Sequence, residues 1–283
     1  MLHAHTRVGQ VVAARLARDL RLPWVATWHG FFRPNLGRRL WPCTGDRTIA
    51  ISEPVRQHLI RDFGVAPERI RLIPHGIDPA PFAAPVSDEA RRKFRRQAGL
   101  SEGARVIGTM ARLVPSKRVE FLVDAFREIR AAVPAAELLV VGDGSERRAL
   151  EARADRLGVG RAAHFVGSLP ESRVALAMMD VFAFIPAEQE GFGLSLLEAM
   201  AAGRPIVGMR RGQGAAWVLE QGGVDALVED GDVAGLGRAV IRLLQDGERA
   251  CRSAGEARRV LLERYALDRM LNDLDAVYRE LVP

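Results

Sequence analysis

Short apolar runs alternate along this chain with longer segments whose apolar residues recur at helical spacing. The alternation is most regular after Arg105. Runs at 106–109, 138–141, 163–166, 181–185 and 205–208 read as strands, and segments at 119–132, 146–157, 171–178, 194–202 and 233–244 as helices. Strands apolar on both faces and separated by helices belong in a parallel sheet covered on both sides; such sheets take ligands at the carboxyl ends of their strands. Residues 1–80 read the same way, with strands at 2–5, 24–28, 47–52 and 69–74 and helices at 10–20 and 53–63. Ser52 stands where its hydroxyl can cap the second of these helices.

Between 79 and 87 the pattern stops in a proline-rich, aperiodic stretch that reads as a linker. A helix carrying Arg91, Arg92, Lys93, Arg95 and Arg96 follows, and its basic side reads as a solvated face. The expected fold is α/β: two Rossmann-like, doubly wound domains with a cleft between them. The first, 1–80, is incomplete; 81–98 links it to the second, 99–265, and a helix at 266–283 packs back toward the first.

Composition narrows the setting. The 283 residues suffice for two domains, and 48% apolar with 27% charged residues is usual for a soluble globular protein. No uncharged apolar run approaches the ~20 residues of a spanning helix, and the N-terminus lacks the pattern of a signal peptide. Cys43 and Cys251 lie far apart with no metal-ligand spacing, which fits a reducing cytosol. A net charge of +6 suits an anionic membrane face or a phosphorylated substrate. Nucleic acid is not expected as a partner, since no recognition motif is present.

The stretch Glu190-Gly-Phe-Gly-Leu-Ser-Leu-Leu-Glu198 gathers the candidate chemistry. It joins the strand at 181–185 to a small-residue helix that stops at Gly203. The first N–H groups of a helix lack partners and the helix dipole adds positive charge, so an anion can be held there. Gly191 and Gly193 would let a phosphate approach the main chain, while Glu190 and Glu198 could accept hydrogen bonds from sugar or ribose hydroxyls. A helix start flanked by two solvated acids is the plainer reading of this segment alone. The loop Gly108-Thr-Met-Ala-Arg112-Leu-Val-Pro-Ser-Lys117 adds two cations to the same sheet edge. The chain has only one other lysine, Lys93, so a compact point charge at Lys117 suggests a specific use. Gly142-Asp143-Gly144 and Gly167-Ser-Leu-Pro170 are turns at that edge, each weak alone. Together these loops match a nucleotide diphosphate carrying a sugar. Arg112, Lys117 and the helix end at Leu194 would neutralise the diphosphate, so neither a metal nor another cofactor is expected; that reading also takes the chain to lack an Asp-x-Asp triplet.

The chain resembles the retaining family 4 glycosyltransferases of the GT-B fold. Gly108, Arg112, Leu113 and Lys117 meet the family's Gly-x-x-x-Arg-Leu-x-x-x-Lys motif, and Glu190 with Glu198 meet its Glu-x7-Glu motif. The Gly142-x-Gly144 turn, the His75-Gly-Ile-Asp78 stretch and a last helix near Tyr278 also fit. The resemblance implies transfer of a sugar from a UDP- or GDP-linked donor, with retention, to a saccharide or lipid-linked acceptor. It implies that Arg112 and Lys117 hold the diphosphate, Glu190 the donor sugar and Glu198 the ribose. Gly193, Leu194 and Ser195 would complete the phosphate cradle, with Gly108, Gly142, Gly144, Val166, Gly191 and Phe192 around the donor. His29 is similar to a family histidine beside the transferred sugar.

Two departures stand out. The strand at 2–5 looks like a middle strand, so either Met1 is not the natural start, a partner supplies the rest, or the chain is degenerate. Arg210-Arg-Gly-Gln-Gly-Ala-Ala-Trp217 stands where the family carries a glycine pair and a glutamate. The alternatives to a transferase are a non-catalytic nucleotide-binding subunit and a sugar-phosphate enzyme of the same fold. Phe31, Phe32, Arg33, Arg38, Arg39 and Trp41 suit an anionic headgroup interface, so the expected place is cytoplasmic, peripheral to the inner membrane face, in lipopolysaccharide or other envelope biosynthesis.

Overall fold

The computed structural model of the chain describes residues 1–222, 224 and 226–282. Its first sheet has four parallel strands in the order of the chain: β1 (Leu2–Ala4), β2 (Trp24–Trp28), β3 (Arg47–Ala50) and β4 (Ile70–Leu72). Helices α1 (Arg7–Leu20), α2 (Leu36–Leu40) and α3 (Glu53–Phe63) connect them, and α4 (Ala80–Ala83) and α5 (Asp88–Ala98) lead on. The second sheet holds β5 (Arg105–Met110), β6 (Ala136–Val141), β7 (Ala163–Gly167), β8 (Val181–Phe184), β9 (Ile206–Arg210) and β10 (Ala226–Glu229). Between and after these strands lie α6 (Glu120–Ala132), α7 (Arg147–Arg156), α8 (Arg173–Met178), α9 (Leu194–Ala201), α10 (Gln213–Gln221), α11 (Val233–Gln245), α12 (Gly247–Arg264) and α13 (Leu267–Leu281).

All pairings in the second sheet are parallel, in the order β10-β9-β8-β5-β6-β7. The chain winds outward from β5 to β7, returns to the other side of β5, and winds outward again to β10. The first sheet winds one way only. Its strands alternate by face, as extended chain must. Trp24, Ala26, Trp28 and Ala50 pack with Ala13 and Ala17 of α1 and Val55 and Leu59 of α3, whereas Val25, Ile49 and Ile73 pack with Val277 of α13. β1 is an edge strand, and α1 turns Val8, Val12, Leu16 and Leu20 to solvent.

Ser52 occupies the cap position of α3, but its hydroxyl makes no cap hydrogen bond and is buried without a partner. The second helical residue is Pro54, which has no N–H to offer it. Thr6 does cap α1, accepting from the Gly9 N–H at 3.1 Å. Among the described residues no helix is long and apolar enough to cross a membrane.

The chain passes between the sheets twice, and the two passages run side by side. The Ile77 N–H donates to the Tyr265 carbonyl, and the Leu267 N–H to the Ile77 carbonyl, each at 3.0 Å. A Cβ at Gly76 would lie 2.8 Å from the Ala266 carbonyl oxygen and 2.9 Å from Leu267 Cα, both backbone atoms that cannot give way locally. Gly76→Ala should therefore cost roughly 1–3 kcal/mol in urea denaturation, the usual cost of overpacking; an unchanged midpoint would refute this tight crossing.

Candidate functional site at the switch point

β5 and β8 are neighbours whose onward connections leave in opposite directions, β5 toward β6 and β8 toward β9. The loops after them part, and a crevice opens at their carboxyl ends, the place where such sheets hold ligands. Two cavities occupy it. One, of about 300 Å³, is lined by Met110, Arg112, Gly142, Asp143, Ser172 and Glu198 among others. The other, of about 490 Å³, is lined by His29, Arg112, Lys117, Glu188, Glu190 and Arg211 among others. Arg112 belongs to both. The sequence-predicted Arg112, Lys117, Glu190, Glu198 and His29 thus come together, although 169 positions separate His29 from Glu198.

Charge is distributed unevenly across this crevice. Arg112 is exposed and makes no ion pair among the described residues. The Lys117 ammonium donates to the Glu190 carboxylate, and both side chains are mostly covered, at 17% and 21% exposure. α9 begins at Gly193 with no side-chain cap and no acid in its first turn, so the backbone donors there meet no opposing carboxylate. Glu198 lies one turn inside, and Ser172 donates a hydrogen bond to it; burial nonetheless raises its carboxyl above the usual range. Ser172 carried no signal in the sequence, being one serine of a loop.

The glycines also meet packing constraints that the sequence did not show. A Cβ on Gly191 would lie 2.4 Å from the His29 carbonyl oxygen, and one on Gly193 2.5 Å from the Phe184 ring. Gly191 lets the loop after β8 touch the end of β2, and Gly193, at φ 105°, lets α9 start over Phe184. A Cβ on Gly142 or Gly144 would strike the Ala111 or Leu113 carbonyl, so that turn supports the Arg112 loop; the Leu113 N–H donates to the Asp143 carbonyl at 2.9 Å. Gly108 lies against Met179 in the interior. The Phe192 ring is 2% exposed, edge-on to His75 and Tyr265, and Val166 packs against the same core. Leu194 and Ser195 stand at the open start of α9, and neither of their side chains lines a cavity wall.

His29 is one of a column of histidines that sequence order hides, because its members end three different strands. His5 Nδ1 lies 3.1 Å from His29 Nε2, and His29 Nδ1 lies 3.3 Å from His75 Nε2. The His29 and His75 rings stack at 5.2 Å. The His3 ring lies 4.1 Å from that of His5, tilted by 34°, and His3 bridges Tyr278 and Thr27 at 2.6 and 2.7 Å. Burial and the neighbouring imidazoles hold the pKa of His3 and of His75 down to about 4, and that of His29 below its ordinary value. The shifts of His3, His29 and His75 favour their neutral forms near pH 7.

Arg211, within the departure at 210–217, lines the larger cavity and pairs with Asp230 at 2.7 Å. The expectation that the chain lacks an Asp-x-Asp triplet is wrong: Asp230-Gly-Asp232 and Asp273-Leu-Asp275 both occur. Asp230 holds Arg211, Asp232 caps α11 through the Gly235 N–H, and Asp275 pairs with Arg279. Among the described residues no group of three or more His, Cys, Asp or Glu is disposed to hold a metal.

Comparisons with known proteins bear on the family and the fold. Residues 104–246 match the family described as glycosyl transferases group 1, and residues 1–81 match glycosyltransferase family 4. The chain is 29% identical over 304 aligned positions to the N-acetyl-alpha-D-glucosaminyl L-malate synthase of Bacillus anthracis, covering 100% of this chain and 75% of that protein. It is 31% identical over 257 positions to the D-inositol 3-phosphate glycosyltransferase of Corynebacterium jeikeium, covering 82% of this chain and 60% of that one. In fold it is similar to Anabaena Alr3699/HepE, solved with UDP and glucose, at a TM-score of 0.87 and 24% identity over 99% of this chain and 78% of that one.

Protonation of His3 and His75 favours the unfolded chain, because their folded pKa values lie below the ordinary 6.5. Their contribution is complete above pH 6.5 and lost as pH falls toward 4. His75→Asn should flatten the fall of melting temperature between pH 7 and pH 4; a slope equal to wild type would refute the burial of a neutral His75. The chain belongs to the glycosyl transferases group 1 family, whose model matches residues 104–246.

Proposed function

We propose that the chain transfers a sugar from a nucleotide-diphosphate sugar to a saccharide or lipid-linked acceptor, with retention and without a metal, in envelope glycan synthesis. The observation that carries this reading is the junction of the two cavities at Arg112. The smaller cavity suits a nucleoside, with Glu198 placed for ribose hydroxyls. The larger suits the sugar, and the diphosphate would cross between them.

The residues divide the work in the following way. Arg112 and Lys117, with the free N–H groups at the start of α9, meet the negative charge that grows on the departing phosphate oxygen. Lys117 turns from Glu190 to the phosphate, and Glu190 is released to accept from a sugar hydroxyl. Loss of the phosphate leaves an oxocarbenium-like carbon, held on the side of His29. The acceptor hydroxyl attacks the face the phosphate leaves, its oxygen forms the new glycosidic bond, and its proton passes to the departing phosphate.

α2 presents Leu36 at 74% and Leu40 at 77% exposure, with Trp41 half exposed beside them and Arg33, Arg38 and Arg39 on the same segment. This supports an acceptor met at an anionic membrane, since an apolar ridge among cations suits a headgroup layer. Leu40→Asp should abolish flotation with phosphatidylglycerol liposomes; flotation retained, or absent already in wild type, would rule this face out.

The donor reading is tested by calorimetric titration with UDP and, separately, GDP. One nucleotide should bind at micromolar affinity, and Arg112→Ala should weaken it by about 1.5–3 kcal/mol, the worth of charge-assisted bonds to phosphate. A folded protein that binds neither would overturn the reading.

A further inference from the structure

On the far side of α9 from the crevice lies a third cavity, of about 210 Å³. Arg91, Arg173, Arg204 and Arg258 line it, from α5, α8, the turn after α9 and α12, together with the linker between Phe82 and Val86. No carboxylate is among the lining residues.

Arginines at a surface normally point apart or pair with acids; these converge. Arg173 and Arg258 are half-buried and make neither a hydrogen bond nor an ion pair among the described residues. Arg91 donates to the carbonyls of Val86 and Ala177 at 3.3 and 3.4 Å, and Arg204 to those of Ala202 and Met179 at 3.0 and 3.1 Å. Those carbonyls anchor each side chain but leave its charge in place. Burial, and then the charge of Arg91, disfavour the cationic form of Arg204; Asp180 opposes this, although it also accepts from the Val106 N–H at 2.7 Å. Four like charges drawn around one recess destabilise it unless a counter-charge enters.

We propose that this cavity is a second anion site, which takes a small soluble phosphate or diphosphate group and is distinct from the donor crevice. Guanidinium forks match phosphate oxygens bidentately, and four of them around a recess of this size supply the donors that one or two phosphoryl groups need. The cavity's walls join the linker to the second domain. Its floor is the end of the helix whose start faces the donor crevice, so an occupant would brace both.

The test uses the whole chain carrying Arg112→Ala, so that diphosphate binding at the donor crevice is suppressed whether or not the donor reading holds. Inorganic diphosphate should bind it saturably, with one site, and more weakly as salt rises. Adding Arg173→Ala and Arg258→Ala should weaken that binding by at least about tenfold, the loss expected when charge-assisted bonds are removed. Neither residue has a partner to lose among the described residues, so the added substitutions should leave the melting temperature without anion unchanged or higher. Diphosphate should then raise the melting temperature of the first protein and not of the second. Equal binding by both proteins would overturn the proposal, as would a marked fall in the anion-free melting temperature. Loss of cosedimentation with phosphatidylglycerol vesicles in the absence of any diphosphate binding would overturn it too, in favour of a lipid headgroup.

Discussion

The structure depends on one topological constraint: β5 and β8 lie side by side while their chains depart in opposite directions. Parallel strands carry their exits at one end, and only where the winding reverses do two exits separate enough to leave a gap. The candidate donor-site residues gather at that gap. The loop after β5 brings Arg112 and Lys117, the loop after β8 brings Glu190 and the start of α9, and the end of β2 brings His29 across from the other sheet. No local propensity could assemble them. The paired passages at Ile77 and Tyr265 and the contact of Gly191 with His29 hold the two sheets in register around it.

Within the gap, the charges are not all matched. Lys117 is matched by Glu190, Arg211 by Asp230, and Arg112 by nothing among the described residues. His3, His29 and His75 add polar atoms while burial and the neighbouring imidazoles disfavour their cationic forms. A cationic His29 would compete with Lys117 and Arg112 for the same phosphates, whereas a neutral one can donate to or accept from a sugar hydroxyl.

Much of this was legible in the sequence. The spacing of Arg112 and Lys117 and of Glu190 and Glu198 is local, and the flanking apolar runs identify the strands that carry them. What escaped was non-local or weakly patterned. β10 has only two buried positions, and α12 carries charge around most of its circumference, burying Ser253, Ala257, Val260 and Leu261 alone. α10 starts at Gly212 with no side-chain cap and follows a stretch read only as a departure. The role of Gly191 depends on the His29 carbonyl, a partner far away in sequence, and that of Gly193 on the Phe184 ring, whose approach the local pattern does not show. The cap assigned to Ser52 failed on its neighbour Pro54, a detail that was visible and outweighed by the residue type.

The claim on which the account stands is that a diphosphate bridges the two cavities at Arg112. A crystal structure of the chain with UDP, or with GDP if that is the nucleotide bound, tests it most directly. The account predicts the base in the cavity beside Glu198, the diphosphate within hydrogen-bond distance of Arg112, Lys117 and the N–H groups that open α9, and the Lys117–Glu190 contact broken. A nucleotide lodged elsewhere, or a diphosphate bound with Lys117 still on Glu190, would contradict it.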